Sequence, residues 1–145
     1  MSELLNISDA SSIAIHSLVL IANSEEMLNA KMISQTLGFS KNHTAKVLQL
    51  LARHNYLVSL RGPKGGFKLK VAPKQISFLE IFELVEGKVG TGNCLHGAEK
   101  CPLNVCIYGN FGIRFTRQFK EYFGKRKLSD IVIKLKTKPN RKNIR

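Results

Sequence analysis

The chain has 145 residues, 43% of them hydrophobic, which suits one modest core and is too apolar for a disordered polymer. Lysine and arginine outnumber the acids 23 to 10, a formal net charge of +13, so the expected partner is a polyanion, nucleic acid above all. No segment spans a membrane: the longest apolar run, IAIHSLVLIA from Ile13, is too short and holds His16 and Ser17. The N-terminus also lacks the basic segment and cleavage site of a signal peptide, so a cytoplasmic location with reduced thiols is expected.

Residues 8 to 22 read as a first helix, with Ser8 or Asp9 as its cap and Ile13, Leu18 and Ile21 on one stripe with Ala14 and Ala22. A second helix runs from Ala30 to Leu37 behind Asn29, and Gly38 stands where a helix end prefers a left-handed residue. Ser40 then caps a third helix reaching about His54 through Val47, Leu48, Leu50 and Leu51. Two short helices joined at a glycine have the composition of a helix-turn-helix.

The period then changes. Tyr56 to Leu60 and Phe67 to Val71 read as strands around the turn-rich RGPKGG, a hairpin. A hairpin after a helix-turn-helix is the wing of a winged-helix domain. Its cations Arg61, Lys64, Lys68 and Lys70 face no acids; they either guard a solvated edge or lie against phosphates. On the second reading Gly65 and Gly66 let backbone N–H groups come close to the phosphates.

Ser77 and Glu80 form a capping box for a helix through Ile81, Leu84 and Val85, stopped by Gly87. A last long helix follows a glycine-containing loop, with Ile107, Phe111, Phe115, Phe119 and Phe123 at four-residue spacing beside Tyr122 and with Gly124 as its stop. So large an aromatic stripe is core or interface, and on a chain this short it calls for a second subunit. Ser129 caps a short segment, Asp130 to Leu135. The final KLKTKPNRKNIR carries six positives and no acid, and without them the rest still holds +7. The organisation expected is a winged helix-turn-helix unit with its following helix at 1–87 and a cysteine loop at 88–107. The dimerisation helix and a short terminal helix take 108–135, and a basic tail expected to be disordered takes 136–145.

All three cysteines lie within thirteen positions, CLHGAEKCPLNVC, with spacing C-x6-C-x4-C from Cys94 through Cys101 to Cys106. Buried inert thiols fit a glycine-containing loop poorly. Structural zinc takes closer pairs than these, and a thiol switch leaves one cysteine without a role. Soft sulfur donors on a loop also suit an iron–sulfur cluster. No catalytic constellation is visible, because the four histidines and ten acids are scattered and no phosphate-binding loop opens a helix.

The order helix-turn-helix, SLRGPKGGFKL, ISFLEIFELVEG, clustered cysteines and a long helix ending in KLSDIV resembles the IscR/NsrR/CymR-type (Rrf) family of winged-helix transcription regulators. The wing followed by an aromatic, together with S-x-x-x-I-F-x-x-V-E-G, carries the likeness. It implies a mainly α fold with a small β-hairpin wing, as a homodimer whose long C-terminal helices cross. It also implies Ser40, Asn42, His43 and Lys46 at the start of a major-groove recognition helix, and Arg61 in a minor groove. The partner is then double-stranded DNA with a pseudo-palindromic operator. SKNHTAKVL further resembles the nitric-oxide-sensing branch.

The resemblance also implies an iron–sulfur cluster on Cys94, Cys101 and Cys106, [4Fe–4S] rather than [2Fe–2S]. The [2Fe–2S] branch has a histidine where this chain has Gly109. The nitric-oxide branch borrows an aspartate from the partner's first helix, and the matching position here is Ser12, three residues after Asp9. The candidates for the fourth ligand are Asp9 from the partner subunit and His96 in the loop, with solvent or a small thiol at that position if neither binds. The reading is a non-enzymatic regulator, a repressor, responding to nitric oxide, redox state or iron and cluster supply. The rivals are a cluster-independent regulator using thiols or zinc, and a winged helix serving as a protein-interaction module.

Overall fold

The computed structural model describes residues 7–90 and 101–132. Cys94, His96, the tail at 136–145 and the end of the expected terminal segment lie outside the described residues. The elements are α1 (Asp9–Ala22), α2 (Ala30–Leu37), α3 (Lys41–Arg53), β1 (Leu57–Leu60), β2 (Gly66–Leu69), α4 (Phe78–Glu86), α5 (Phe111–Lys125) and α6 (Ser129–Val132), with a single 3-10 turn at Pro73–Gln75. Among the described residues no helix is long and apolar enough to cross a membrane.

Side-chain caps explain where four helices begin. Ser8, and not Asp9, caps α1 by accepting the Ser11 N–H; Asn29 accepts from Met32, Ser40 from His43 and Ser77 from Glu80. Each satisfies a donor that the first helical turn leaves without a partner. The box at α4 is modified: the Ser77 hydroxyl donates to Glu80 Oε2 while it accepts the Glu80 N–H. Gly38, at φ +76°, ends α2 in the left-handed conformation expected there.

The core forms around α1. Ile13, Ala14, Leu18 and Ile21 of α1 meet Ile33 of α2, Val47, Leu48 and Leu51 of α3, and Phe78 and Ile81 of α4 in one buried cluster. The wing is an antiparallel pair with Leu57 opposite Leu69 and Leu60 opposite Gly66. A third chain segment joins it: Leu28 and Phe67 exchange backbone hydrogen bonds of 3.3 and 2.8 Å. Gly66 makes that approach possible. A Cβ there would lie 2.7 Å from the Leu28 carbonyl carbon and oxygen, and the residue sits at φ +153°. Gly66→Ala therefore overpacks this junction, and urea unfolding is expected to show a loss of about 1–3 kcal/mol.

The C-terminal part returns to the same core. The Phe78 N–H donates to Arg126 O at 3.1 Å and the Leu128 N–H to Ile76 O at 2.9 Å, and Leu128 is buried. This pairing stitches the end of α5 to the start of α4, so packing crosses the division expected at residues 87 and 108. Two expected helix limits change as well. Ile107 precedes α5, because a turn closed by Gly109 N–H to Cys106 O, with Gly109 at φ +54°, separates them. Gly124 does not stop the helix, which ends one residue later where Arg126 becomes extended to pair with Phe78.

Along α5 the phenylalanine ladder runs from core to surface. Phe119 is buried and meets Phe82 of α4 edge-on at 5.0 Å, with Phe123 4.6 Å from it. At the other end Phe111 is 53% exposed, and Tyr122 on the same side is 56% exposed. Val105 and Ile107, just before the helix, are about four-fifths exposed, at 80% and 81%.

Candidate nucleic-acid interface and cysteine segment

Helix α3 has two faces set by its sequence. Thr44, Val47, Leu48 and Leu51 point inward and are buried. Asn42, Lys46, Gln49 and Arg53 are exposed and, at i, i+4, i+7 and i+11, form one outward stripe. His43 is half-buried at the edge of that stripe, and Ser40 is engaged as the cap with its oxygen 3.2 Å from the His43 N–H. The resemblance named Asn42 and Lys46, and Gln49 and Arg53 share their outward face. Extending the helical spacing from Asn42 finds both.

On the wing, Arg61, Lys64 and Lys68 are exposed. Lys70 is exposed too, but its amine donates to Asn55 Oδ1 at 2.8 Å. Among the described residues the one ion pair is Lys88 with Glu83, so the wing and α3 cations have no carboxylate on them. Lys64 and Lys68 line an open groove of about 580 Å³ together with Glu25, Glu26 and the start of α2, and those two acids moderate the local potential. The wing glycines have roles inside the hairpin: the Gly65 N–H is taken by Gly62 O at 2.9 Å, and Gly66 is buried against Leu28. These contacts use the Gly65 N–H within the turn and bury Gly66.

Cys101 and Cys106 are both exposed and free, on a segment with no helix or strand. Cys106 is tied to the turn that precedes α5 through its carbonyl. Asp9 is exposed at the first position of α1. Among the described residues no three His, Cys, Asp or Glu side chains gather as a metal site. The structure thus does not bring Asp9 and the two described thiols together within one chain.

The segment carrying the cysteines leaves α4 through a polar junction. Glu83 accepts from Lys88 Nζ at 2.8 Å and from the Val89 N–H at 3.2 Å, and these contacts, the Lys88 bond first, hold its carboxyl below the usual range. Glu86 Oε1 accepts the Ser11 hydroxyl at 2.5 Å, the Ser8 hydroxyl, and the Ser8 N–H at 3.2 Å. The Ser11 and Ser8 hydroxyls hold the Glu86 carboxyl below the usual range as well. No sequence signal marks this contact, since its partners are 75 and 78 residues apart.

The family model Rrf2, described as an iron-dependent transcriptional regulator, matches residues 7–134. The chain belongs to the Rrf2 family. Its Rrf2 relatives include the HTH-type transcriptional regulator NsrR of Bacillus licheniformis, 34% identical over 85 residues, 59% of this chain and 57% of that protein. NsrR of Bacillus subtilis is 30% identical over 82 residues, 57% of this chain and 53% of its own length. The matched part thus spans little more than half of these curated relatives.

In three dimensions the chain is similar to CymR, described as the global cysteine regulator of B. subtilis. The TM-score is 0.72 at 23% identity, covering 90% of this chain and 98% of that one. That likeness establishes the Rrf2-type winged-helix fold, as the resemblance implied. The Rrf2 relatives are named as transcriptional regulators, which agrees with a non-enzymatic role.

Proposed function

We propose that this Rrf2 chain acts as a homodimeric DNA-binding repressor whose operator affinity is set by an iron–sulfur cluster. The observation that carries the DNA-binding part is the outward stripe of Asn42, Lys46, Gln49 and Arg53 beside a wing whose Arg61, Lys64 and Lys68 form no ion pair among the described residues. A helix face of this kind reads base edges in a major groove, and free cations replace counterions on phosphates. The dimer is supported by Phe111 and Tyr122, large side chains left half in water on α5.

The donor set fits a cluster chemically. Exposed, unlinked Cys101 and Cys106 can bind as thiolates on a loop, with Cys94 as the third sulfur and Asp9 of the partner subunit or His96 as the fourth donor. When bound, a [4Fe–4S] cluster would supply iron open to nitric oxide, oxygen or peroxide. Asp9 is exposed at the start of α1, which is what a donor taken by a neighbouring chain would require. The same two exposed thiols support the alternative, a cluster-independent regulator that switches by thiol chemistry.

Selection of duplexes from a random pool, followed by footprinting, tests the DNA-binding reading. The expected result is a pseudo-palindrome with half-sites about one helical turn apart, or a multiple of it. A protected single asymmetric half-site would overturn the dimeric reading, and no enrichment over random sequence would overturn specific DNA binding.

A further inference from the structure

We propose that Glu86 is a positioning residue whose carboxylate latches the start of α1 to the end of α4, coupling the cysteine-bearing segment to the recognition helix α3. The inference rests on the reading of that segment as the sensing element. Glu86 is the last residue of α4, and Gly87, at φ +91°, turns the chain into the segment that leads to the cysteines. Glu86 Oε1 takes the Ser8 N–H and the hydroxyls of Ser8 and Ser11, so the latch brackets Asp9.

Helix capping does not account for this arrangement. The Ser8 hydroxyl already caps α1 by accepting the Ser11 N–H at 3.2 Å. Glu86 adds a long-range tie made by an exposed carboxylate, with three donors on one oxygen. The other side of the junction is held too. Glu83 binds Lys88 and the Val89 N–H, folding the first residues of the segment back onto α4. Displacement of these first residues therefore bears on the last turn of α4, and Glu86 passes it to α1. From there the route is packing. Ile13, Ala14, Leu18 and Ile21 of α1 share the core with Val47, Leu48 and Leu51, the inner face of α3. Close-packed helices move as units, so a shift in α1 re-aims the outer stripe of α3.

The test compares the affinity of two forms of the full-length protein for a duplex selected on the wild type. One form is loaded anaerobically with ferrous iron and sulfide, and the other is stripped with a chelator. In wild type the two affinities should differ by roughly 5- to 150-fold, the usual range of site-to-site coupling. Glu86→Ala should bring that ratio close to one while leaving the dimer, the circular dichroism and the iron content as in wild type. Ser11→Ala, which removes one donor and leaves the cap, should give an intermediate ratio. Glu86→Gln, which keeps an accepting oxygen, should retain most of the wild-type ratio.

A Glu86→Ala protein with a lower melting temperature but the wild-type ratio has lost only a structural contact, and the latch is then wrong. A wild-type ratio of one overturns the sensing reading itself, and the latch with it. The two failures are separate results of the same titration.

Discussion

Arg61→Ala lowers affinity for the selected operator by roughly 5- to 150-fold, the equivalent of about 1–3 kcal/mol for a good base contact. Arg61 is exposed where β1 enters the wing turn, and among the described residues no carboxylate pairs with it. A guanidinium at such a tip enters a narrow minor groove, where the negative potential is deepest and varies with sequence. The loss should therefore be larger on the operator than on random duplex, and the slope of log affinity against log salt should fall by about one. Lys64→Ala and Lys68→Ala should behave differently, weakening all sequences about equally, because an amine on phosphate carries no sequence information. Filter binding or fluorescence anisotropy at several salt concentrations separates these patterns. An Arg61→Ala protein that loses equally on both duplexes would reduce Arg61 to a phosphate contact.

Replacing Cys94, Cys101 or Cys106 singly with Ala abolishes or severely weakens cluster binding, and the dimer stays folded. These are the only thiols of the chain, so no other cysteine can replace one that is lost. Cys101 and Cys106 are exposed and contribute nothing to the core, so their truncation should leave the unfolding transition in place. Anaerobic visible spectra with iron and sulfide analysis check the first point, and chemical denaturation checks the second. A single mutant with full iron and sulfide content would remove that cysteine from the ligand set.

The parts of this fold legible in the sequence were those encoded locally. Asn29, Ser40 and Ser77 announce helix starts because a side-chain oxygen and the N–H it accepts lie within three residues. Gly38 announces a stop because its left-handed φ is a single-residue property. Asn42 and Lys46 came from the family resemblance, and helical spacing extends their face to Gln49 and Arg53.

What stayed hidden is non-local. The Leu28–Phe67 bridge and the Ser77–Lys127 bridge are single-residue pairings with no alternating pattern to betray them. Gly66 reads as a turn or phosphate-loop glycine until Leu28 is seen beside it. Gly124 reads as a stop, yet a glycine in helical conformation does not end a helix; the pairing of Arg126 with Phe78 does. The Ser8, Ser11 and Glu86 cluster joins residues that no window of sequence contains together.

The proposal that this Rrf2 chain senses through an iron–sulfur cluster is tested most directly by metal and acid-labile sulfide analysis of the wild-type protein purified without oxygen. The account predicts about four iron and four sulfide per protomer, as in a [4Fe–4S] cluster on cysteine thiolates. Stoichiometric zinc without sulfide, or no metal at all with three titratable thiols, would contradict it.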